Sequence, residues 1–382
     1  MAAHQKHTQL AKPHNGVFVR REWAILGTPC AQIEVLARAL ALALGTDYRV
    51  GYADADHKQG DEDEKNPFSL TYTDKIDFHR FDMVIRQGAA VPLRDFFKDA
   101  DLVLVNGNHF SANRQLVVLD PRKMDSLARK TDRLTQVDAF LCLDETPIAV
   151  PLFLQKILLN WESIPVFRLS ETDKIAGLLR QHLLPVPLRA LVLVGGRSVR
   201  MGSDKSLLPW HGKPQRDHLA EILQTMGLAV SFSCRAEQAG AFIEQQQVIA
   251  DTFLDLGPFG AILSAFREDP GAAWMVLASD LPLLDRDTLD FLRLHRDPSA
   301  LATAFRSPHS PEGFPEPLIT IWEPRAYPTM LQFLAQGVSC PRKVLLQRST
   351  ALLDAPNPAA LTNVNTPEER SKMDNLLQSV RP

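Results

Sequence analysis

Residues 190–205 read Ala-Leu-Val-Leu-Val-Gly-Gly-Arg-Ser-Val-Arg-Met-Gly-Ser-Asp-Lys, an apolar run that breaks into paired glycines and fixed positive charge. The run Ala190 to Val194 is predicted as a buried strand. Gly195 and Gly196 let the backbone approach a ligand closely, so that its N–H groups can turn toward phosphate oxygens. Arg200 adds a planar fork of donors and Lys205 a mobile point charge, with Asp204 beside it to orient it. These residue types in this order suit a polyphosphate. The stretch is not a Walker A loop, because no Gly-Lys-Ser/Thr closes it. A glycine-rich turn with no ligand is the competing explanation for the glycines alone.

Further candidates follow along the chain. Trp274 to Ala278 reads as an apolar strand, and Ser279-Asp280-Leu281-Pro282 stands at its carboxyl end. A carboxylate there faces the crevice of an α/β sheet, and as a hard oxygen donor it suits magnesium, so Asp280 is the predicted Mg2+ ligand. A helix cap is its bland alternative. Asp251 ends a short strand, Gln247 to Ala250, and Gly257-Pro258 follow it. Asn363 and Asn365 flank Val364 with strand-like alternation, which puts both side chains on one face. The same segment reads as a helix start, with Thr366 as cap and Glu369 completing a capping box. Arg342 and Lys343 are either contacts to a phosphorylated substrate or solvent-facing charge.

The segment Gly-Gly-x-Ser-x-Arg-Met-Gly-x-Asp-Lys-x-Leu-Leu, running into Trp210-His211-Gly212-Lys213-Pro214, resembles the start of the molybdenum cofactor guanylyltransferase family. Four later segments stand in that family's order: Asp251 with Gly257-Pro258-Phe259-Gly260-Ala261-Ile262, Ser279 to Pro282, Glu316-Pro317-Leu318, and Asn363 to Glu369. The resemblance covers about residues 188–382. It implies a Rossmann-like nucleotidyltransferase fold and transfer of GMP from GTP to the terminal phosphate of molybdopterin cofactor, with pyrophosphate released. It further implies that Leu193, Val194, Gly195 and Gly196 lie along base and ribose, and that Asp251 helps bind the nucleotide. Lys205 and Arg200 would stabilise the triphosphate, Asp280 would hold Mg2+ and contact the nucleotide, and Asn363 and Asn365 would position the pterin substrate.

This chain also departs from the family pattern. Ser279 replaces Cys, Val194 replaces Ala, and Gly257-Pro258-Phe259-Gly260-Ala261 replaces Gly-Pro-Leu-Ala-Gly. No asparagine follows the second strand, where Val230 leads into Ser231-Phe232-Ser233-Cys234-Arg235. Nucleotide choice therefore stays open to CTP with molybdopterin, or to a sugar phosphate with its own triphosphate. A non-catalytic, nucleotide-sensing adaptor for a molybdoenzyme is the rival from another class. Expected partners are GTP, molybdopterin, and a molybdoenzyme or its chaperone.

A chain of 382 residues points to two domains. The stiff Pro185-Val186-Pro187 places a linker at 185–189 between domains 1–184 and 190–382. The first domain also reads as α/β. Trp23 to Leu26, Gly27-Thr28-Pro29, then Ile33, Leu36, Leu40 and Leu44 at helical spacing form a strand, a turn and a helix, with Gly45 as carboxyl cap. Tyr48 to Ala53, Leu102 to Val105, Leu116 to Leu119, Phe140 to Leu143 and Ile164 to Phe167 read as strands, with Glu171 to Leu183 helical. Strands alternating with helices imply a mostly parallel sheet in each domain. The layout resembles a degenerate P-loop adaptor domain of the molybdopterin-guanine type, because Gly27 to Glu34 lacks the second glycine and the lysine. A docking or substrate-holding role is expected, with nucleoside triphosphate binding as the alternative. Asp54, Asp56, His57 and His109 fall at strand ends, where a metal or other ligand could bind or water could simply solvate them. Asp74, Lys75, His79 and Arg80 read as surface.

Hydrophobic residues at 45% and charged residues at 23% describe a globular chain with ample core. A net charge of −3 gives no reason to expect nucleic acid or an anionic membrane. Cys30, Cys142, Cys234 and Cys340 are widely spaced and indicate neither zinc nor a disulfide framework. The polar start is unlike a signal peptide, no run is long enough for a membrane span, and a cytoplasmic location is expected.

Overall fold

A computed structural model describes residues 10–11, 16–19, 21–45, 48–55, 70–74, 79–83, 93–144, 149–183, 186–194, 205–242, 246–308, 310 and 312–380. The chain divides into two compact units, one of Asn15–Leu184 and one built on Pro185–Pro382.

In the first unit the strands are β1 (Glu22–Leu26), β2 (Val50–Ala53), β3 (Leu70–Asp74), β4 (His79–Met83), β5 (Leu102–Asn106), β6 (Arg114–Leu119), β7 (Val137–Cys142) and β8 (Val166–Arg168). Six of them form a sheet in the order β2-β5-β1-β6-β7-β8, every neighbouring pair parallel. β1 and β5 are buried along their whole length, as expected of strands covered on both faces. Helix Cys30–Leu44 turns Ile33, Leu36, Ala37, Leu40 and Leu44 inward, the three-and-four spacing of an amphipathic helix. They share one core with Trp23, Ile25, Leu104 and Leu116 of the sheet and with Ile175 and Leu179 of helix Thr172–His182. Gly45 closes the first helix at φ 71°, a backbone region glycine enters without strain. The last strand lies two residues later at its start than Ile164 to Phe167. The antiparallel ribbon β3–β4, which pairs Asp74 with His79, was not anticipated. Charged and apolar residues are mixed there, so the segment reads as surface until its partner strand is known.

The second unit contains β9 (Leu188–Leu193), β10 (Ala229–Cys234), β11 (Gln247–Ala250), β12 (Ala273–Ala278), β13 (Ala302–Arg306), β14 (Pro315–Trp322) and β15 (Thr350–Leu353). The sheet order is β11-β10-β9-β12-β14-β13-β15. The first four are mutually parallel, β14 runs antiparallel to both its neighbours, and β13 pairs parallel with β15. Side chains alternate between two cores with the period of two that strands impose. Ala190, Val192, Met275 and Leu277 meet Leu219, Leu223, Leu289 and Leu292 of helices Gln215–Thr225 and Arg286–Leu294. Leu191, Trp274 and Val276 meet Phe259, Ile262, Met330 and Val344 from helices Pro258–Glu268, Ala326–Ala335 and Pro341–Gln347 on the other face. Both sheets are thus mostly parallel with flanking helices, an α/β architecture.

Candidate active site

The register of the four parallel strands brings their carboxyl ends level. Leu193 lies opposite Ser233 of β10 on one side and Ala278 of β12 on the other. Val194 continues past the strand end, its N–H donating to the Ser233 carbonyl at 2.9 Å. Gly195, Gly196 and Arg200 lie outside the described residues. Lys205 opens a short 3-10 turn, Lys205–Leu207, and is described by its backbone.

Asp251 sits directly after β11, and its N–H donates to the Cys234 carbonyl at 2.9 Å. Its carboxylate accepts a 2.7 Å hydrogen bond from the Ser233 hydroxyl. Burial lifts the Asp251 carboxyl above the ordinary carboxylate range, and the Ser233 hydroxyl opposes that lift. β10 continues through Cys234, so the residue after the second strand is Arg235, and the buried Ser233 is the next-to-last residue of the strand, beside Asp251. Ser233 was missed as a site residue. Its only sequence signal was the pair of serines, Ser231 and Ser233, flanking Phe232 in a short strand.

The helix after Asp251 depends on two glycines. Gly257 caps helix Pro258–Glu268 at φ 56°, with Pro258 in the first helical position. A Cβ on Gly260 would lie 2.2 Å from the Phe253 carbonyl oxygen, so only glycine lets the helix approach the Asp251 loop this closely. The permuted order of small residues therefore has a packing reason.

Asp280 follows β12 by two residues and is half-buried. Its carbonyl accepts the Val364 N–H at 2.9 Å, which fastens the Asn363-Val364-Asn365 segment beside it. That segment is not a strand, contrary to its alternation. It is irregular chain between the 3-10 turn Pro358–Leu361 and helix Pro367–Val380. Val364 is the buried residue, packed with Leu208, Trp210 and Met373, and the two asparagines flank it. Both line one pocket of about 390 Å³ together with Thr362, Glu369 and Lys372. The capping box is present: Glu369 N–H donates to Thr366 Oγ1 at 3.2 Å, and Glu369 Oε2 accepts from Thr366 N at 3.1 Å.

The Asp280 turn is also held from the Trp210 side. His211 Nε2 is 2.8 Å from the Pro282 carbonyl, and the buried Gln215 amide donates to the Leu281 carbonyl at 2.9 Å. His211 stacks on His218 with ring centroids 3.8 Å apart. Burial, and then the neighbouring His211 and Lys213, hold the His218 imidazole down to about 4 from an ordinary 6.5. The unfolded chain therefore takes up the proton first. The stability carried by neutral His218 is complete above about 6.5 and is lost as pH falls toward 4. A His218→Gln variant is expected to lose melting temperature less steeply than the parent over that interval; parallel curves would remove His218 from the acid response.

Pro258, Pro317, Leu318, Cys340, Pro341 and Arg342 surround a second pocket of about 180 Å³. Arg342 thus joins two of the motif segments, whereas the exposed Lys343 does not line it. Among the described residues no group of three His, Cys, Asp or Glu is placed to hold a metal. In the first unit Asp56, His57 and Lys75 lie outside the described residues, while Asp74 and Arg80 are exposed. No described helix is long and apolar enough to cross a membrane.

Asp251 and Asp280 thus follow the carboxyl ends of two parallel strands of one sheet, with the Asn363–Asn365 segment bonded to the Asp280 carbonyl, at the edge where α/β sheets bind ligands. The solved molybdopterin-guanine dinucleotide biosynthesis protein A of Archaeoglobus fulgidus is 19% identical, with a TM-score of 0.42 over 50% of this chain and 100% of that one. A molybdenum cofactor biosynthesis bifunctional protein of Synechocystis sp. is 30% identical over 189 residues, so the chain spans 54% of that relative and the match takes up 49% of this chain. A molybdenum cofactor guanylyltransferase of Pseudomonas putida is 31% identical over 186 residues, 48% of this chain and 95% of the relative. Residues 190–351 match the family described as the MobA-like NTP transferase domain, and the chain belongs to that family.

Proposed function

We propose that the chain transfers GMP from GTP to the terminal phosphate of molybdopterin cofactor and releases pyrophosphate, with residues 190–382 as the transferase domain and 185–189 as its linker. The observation that supports this reading is that Leu193, Val194, Asp251 and Asp280 all stand at the carboxyl ends of parallel strands of one sheet, with Val364, between Asn363 and Asn365, bonded to the Asp280 carbonyl. The names of the relatives supply the substrates.

The attacking phosphate is largely ionised near neutrality, its second pKa being about 6, so no strong general base is needed. Alignment and charge neutralisation are what the protein must provide. Leu193 and Val194 flank base and ribose, and Asp251, steadied by Ser233, reaches the nucleotide. Lys205 and Arg200 neutralise the triphosphate, and Asn363 and Asn365 position the pterin acceptor over their pocket. The donor set fits magnesium, a hard cation bound through one or two carboxylates plus substrate phosphates and water. Asp280 would hold it, and when bound it supplies charge stabilisation at the transferring phosphorus. A docking or substrate-holding role is the corresponding proposal for residues 1–184, with a molybdoenzyme or its chaperone as partner.

The nucleotide is tested by melting the protein with GTP, CTP or ATP in magnesium. A ligand at a hundredfold excess over its Kd stabilises by about 2.7 kcal/mol, so GTP alone should raise Tm by several degrees. A larger shift with CTP would replace the guanylyl reading, which Arg235 in place of an asparagine leaves to experiment. Pyrophosphate release with GTP and molybdopterin separates an enzyme from a nucleotide-sensing adaptor. Lys205→Ala should weaken triphosphate binding even without metal; unchanged binding would take Lys205 out of the site.

A further inference from the structure

Three adjacent strands of the first sheet, β2, β5 and β1, lead into Asp54, His109 and Cys30 at their carboxyl ends. The Cys30 Sγ is 3.2 Å from His109 Nε2, and an Asp54 carboxylate oxygen is 3.8 Å from the same nitrogen. Asp54 is itself fixed, accepting from the Tyr52 hydroxyl at 2.7 Å and the Asn106 amide at 2.8 Å. The Asn108 amide stands 3.6 Å from the sulfur and donates to the Thr28 carbonyl at 2.9 Å. Lys130 and Arg133 tie down the same loop through the Asn108 and Gly107 carbonyls. The nucleotide site uses none of these groups.

The sulfur stands on a constrained turn. Gly27 has φ 91°, and a Cβ there would lie 2.3 Å from the Val118 carbonyl oxygen, so the chain turns sharply out of β1. Cys30 is the first residue of the 15-residue helix that follows. A nucleophile on a tight strand-to-helix turn is the arrangement hydrolases use to present a side chain at the top of a sheet. The first N–H groups of a helix lack intrahelical partners, and its positive end favours developing negative charge. Cys30 is half-buried, and the His109 and Asp54 side chains keep 14% and 28% of their surface exposed, so a small molecule can reach all three. Cys142 is buried at the end of β7, and Cys234 and Cys340 belong to the other unit, which favours acyl over disulfide chemistry.

We propose that Cys30 is the nucleophile of a second, thiol-based site that takes a small ester or thioester. The thiol proton passes to His109 Nε2 as sulfur bonds the carbonyl carbon. The helix N-terminus meets the oxyanion, and Asp54 stabilises the imidazolium. The alcohol or thiol leaves with the proton from His109. Water then cleaves the acyl–sulfur bond, releasing the acid and restoring the thiol.

The test treats the full-length protein with p-nitrophenyl acetate, following p-nitrophenol release and locating the acetyl group by peptide mass. A burst of one equivalent with acetyl on Cys30 is expected. Cys30→Ala should abolish it, and His109→Asn should slow acylation by about a hundredfold with a changed pH profile. Asp54→Asn should show a smaller loss, and circular dichroism checks the fold of each. Independently, iodoacetamide should label Cys30 ahead of the exposed Cys340 in the parent but not in His109→Asn. Acetyl groups elsewhere, a burst that survives Cys30→Ala, or His109→Asn reacting like the parent would overturn the proposal.

Discussion

Asp280→Asn is expected to lower nucleotidyl transfer in magnesium by about a thousandfold while leaving metal-free nucleotide binding largely intact. The substitution keeps the side-chain shape and removes the charge assigned to the cation, whose stabilisation of the transition state is on the order of several kcal/mol. The main chain at this position should hold its place. Val364 bonds to the Asp280 carbonyl, and the adjacent Leu281 and Pro282 carbonyls are bound by Gln215 and His211, none of which involves the carboxylate. Folding is therefore expected to be unchanged by circular dichroism and melting. Single-turnover transfer over a magnesium titration is the measurement. A near-parent rate, or a loss explained by unfolding, would refute the assignment.

Glu323→Ala should produce a large stability loss in the second unit. Glu323 and Arg296 are almost wholly buried, with side chains 2% and 8% exposed, and form a two-pronged pair at 2.6 and 2.9 Å. The remaining Arg296 prong donates to the Val186 carbonyl at 2.9 Å, just ahead of β9. Removing the carboxylate leaves a buried guanidinium unpaired, at a cost of about 3–5 kcal/mol. Chemical denaturation should show a lower midpoint at constant slope, with the shift multiplied by the slope giving that amount. The double change Arg296→Met with Glu323→Leu should recover much of the loss, because apolar replacement of both partners avoids the unpaired charge. A single variant within about 0.5 kcal/mol of the parent would show that the pair is not an isolated buried one.

The elements that sequence reading found share a physical property: their signals are local. β12 was legible because a strand covered on both faces is an unbroken apolar run, Ala-Trp-Met-Val-Leu-Ala. Helix Cys30–Leu44 declared itself through residues three and four apart, and the Thr366–Glu369 box through groups three apart. The asparagine segment kept its alternation without being a strand, because a loop that buries Val364 between two exposed neighbours has the same pattern. The ribbon β3–β4 was invisible because a short antiparallel pair is specified by its partner and not by its own pattern.

The amino-acid sequence by itself determined two α/β units, the order of the motif segments, and the strand ends to which Asp251 and Asp280 are attached. Only the tertiary structure decided which of those ends meet. The crossover connections interleave the strands as β11-β10-β9-β12 and as β2-β5-β1, so nearness in space follows sheet order and not chain order. Ser233 reaches Asp251 across 18 residues, and Cys30 reaches His109 across 79, through contacts no window of sequence contains. Local propensity is a property of a few consecutive residues, whereas a hydrogen bond between strand ends exists only after the whole sheet has set its register.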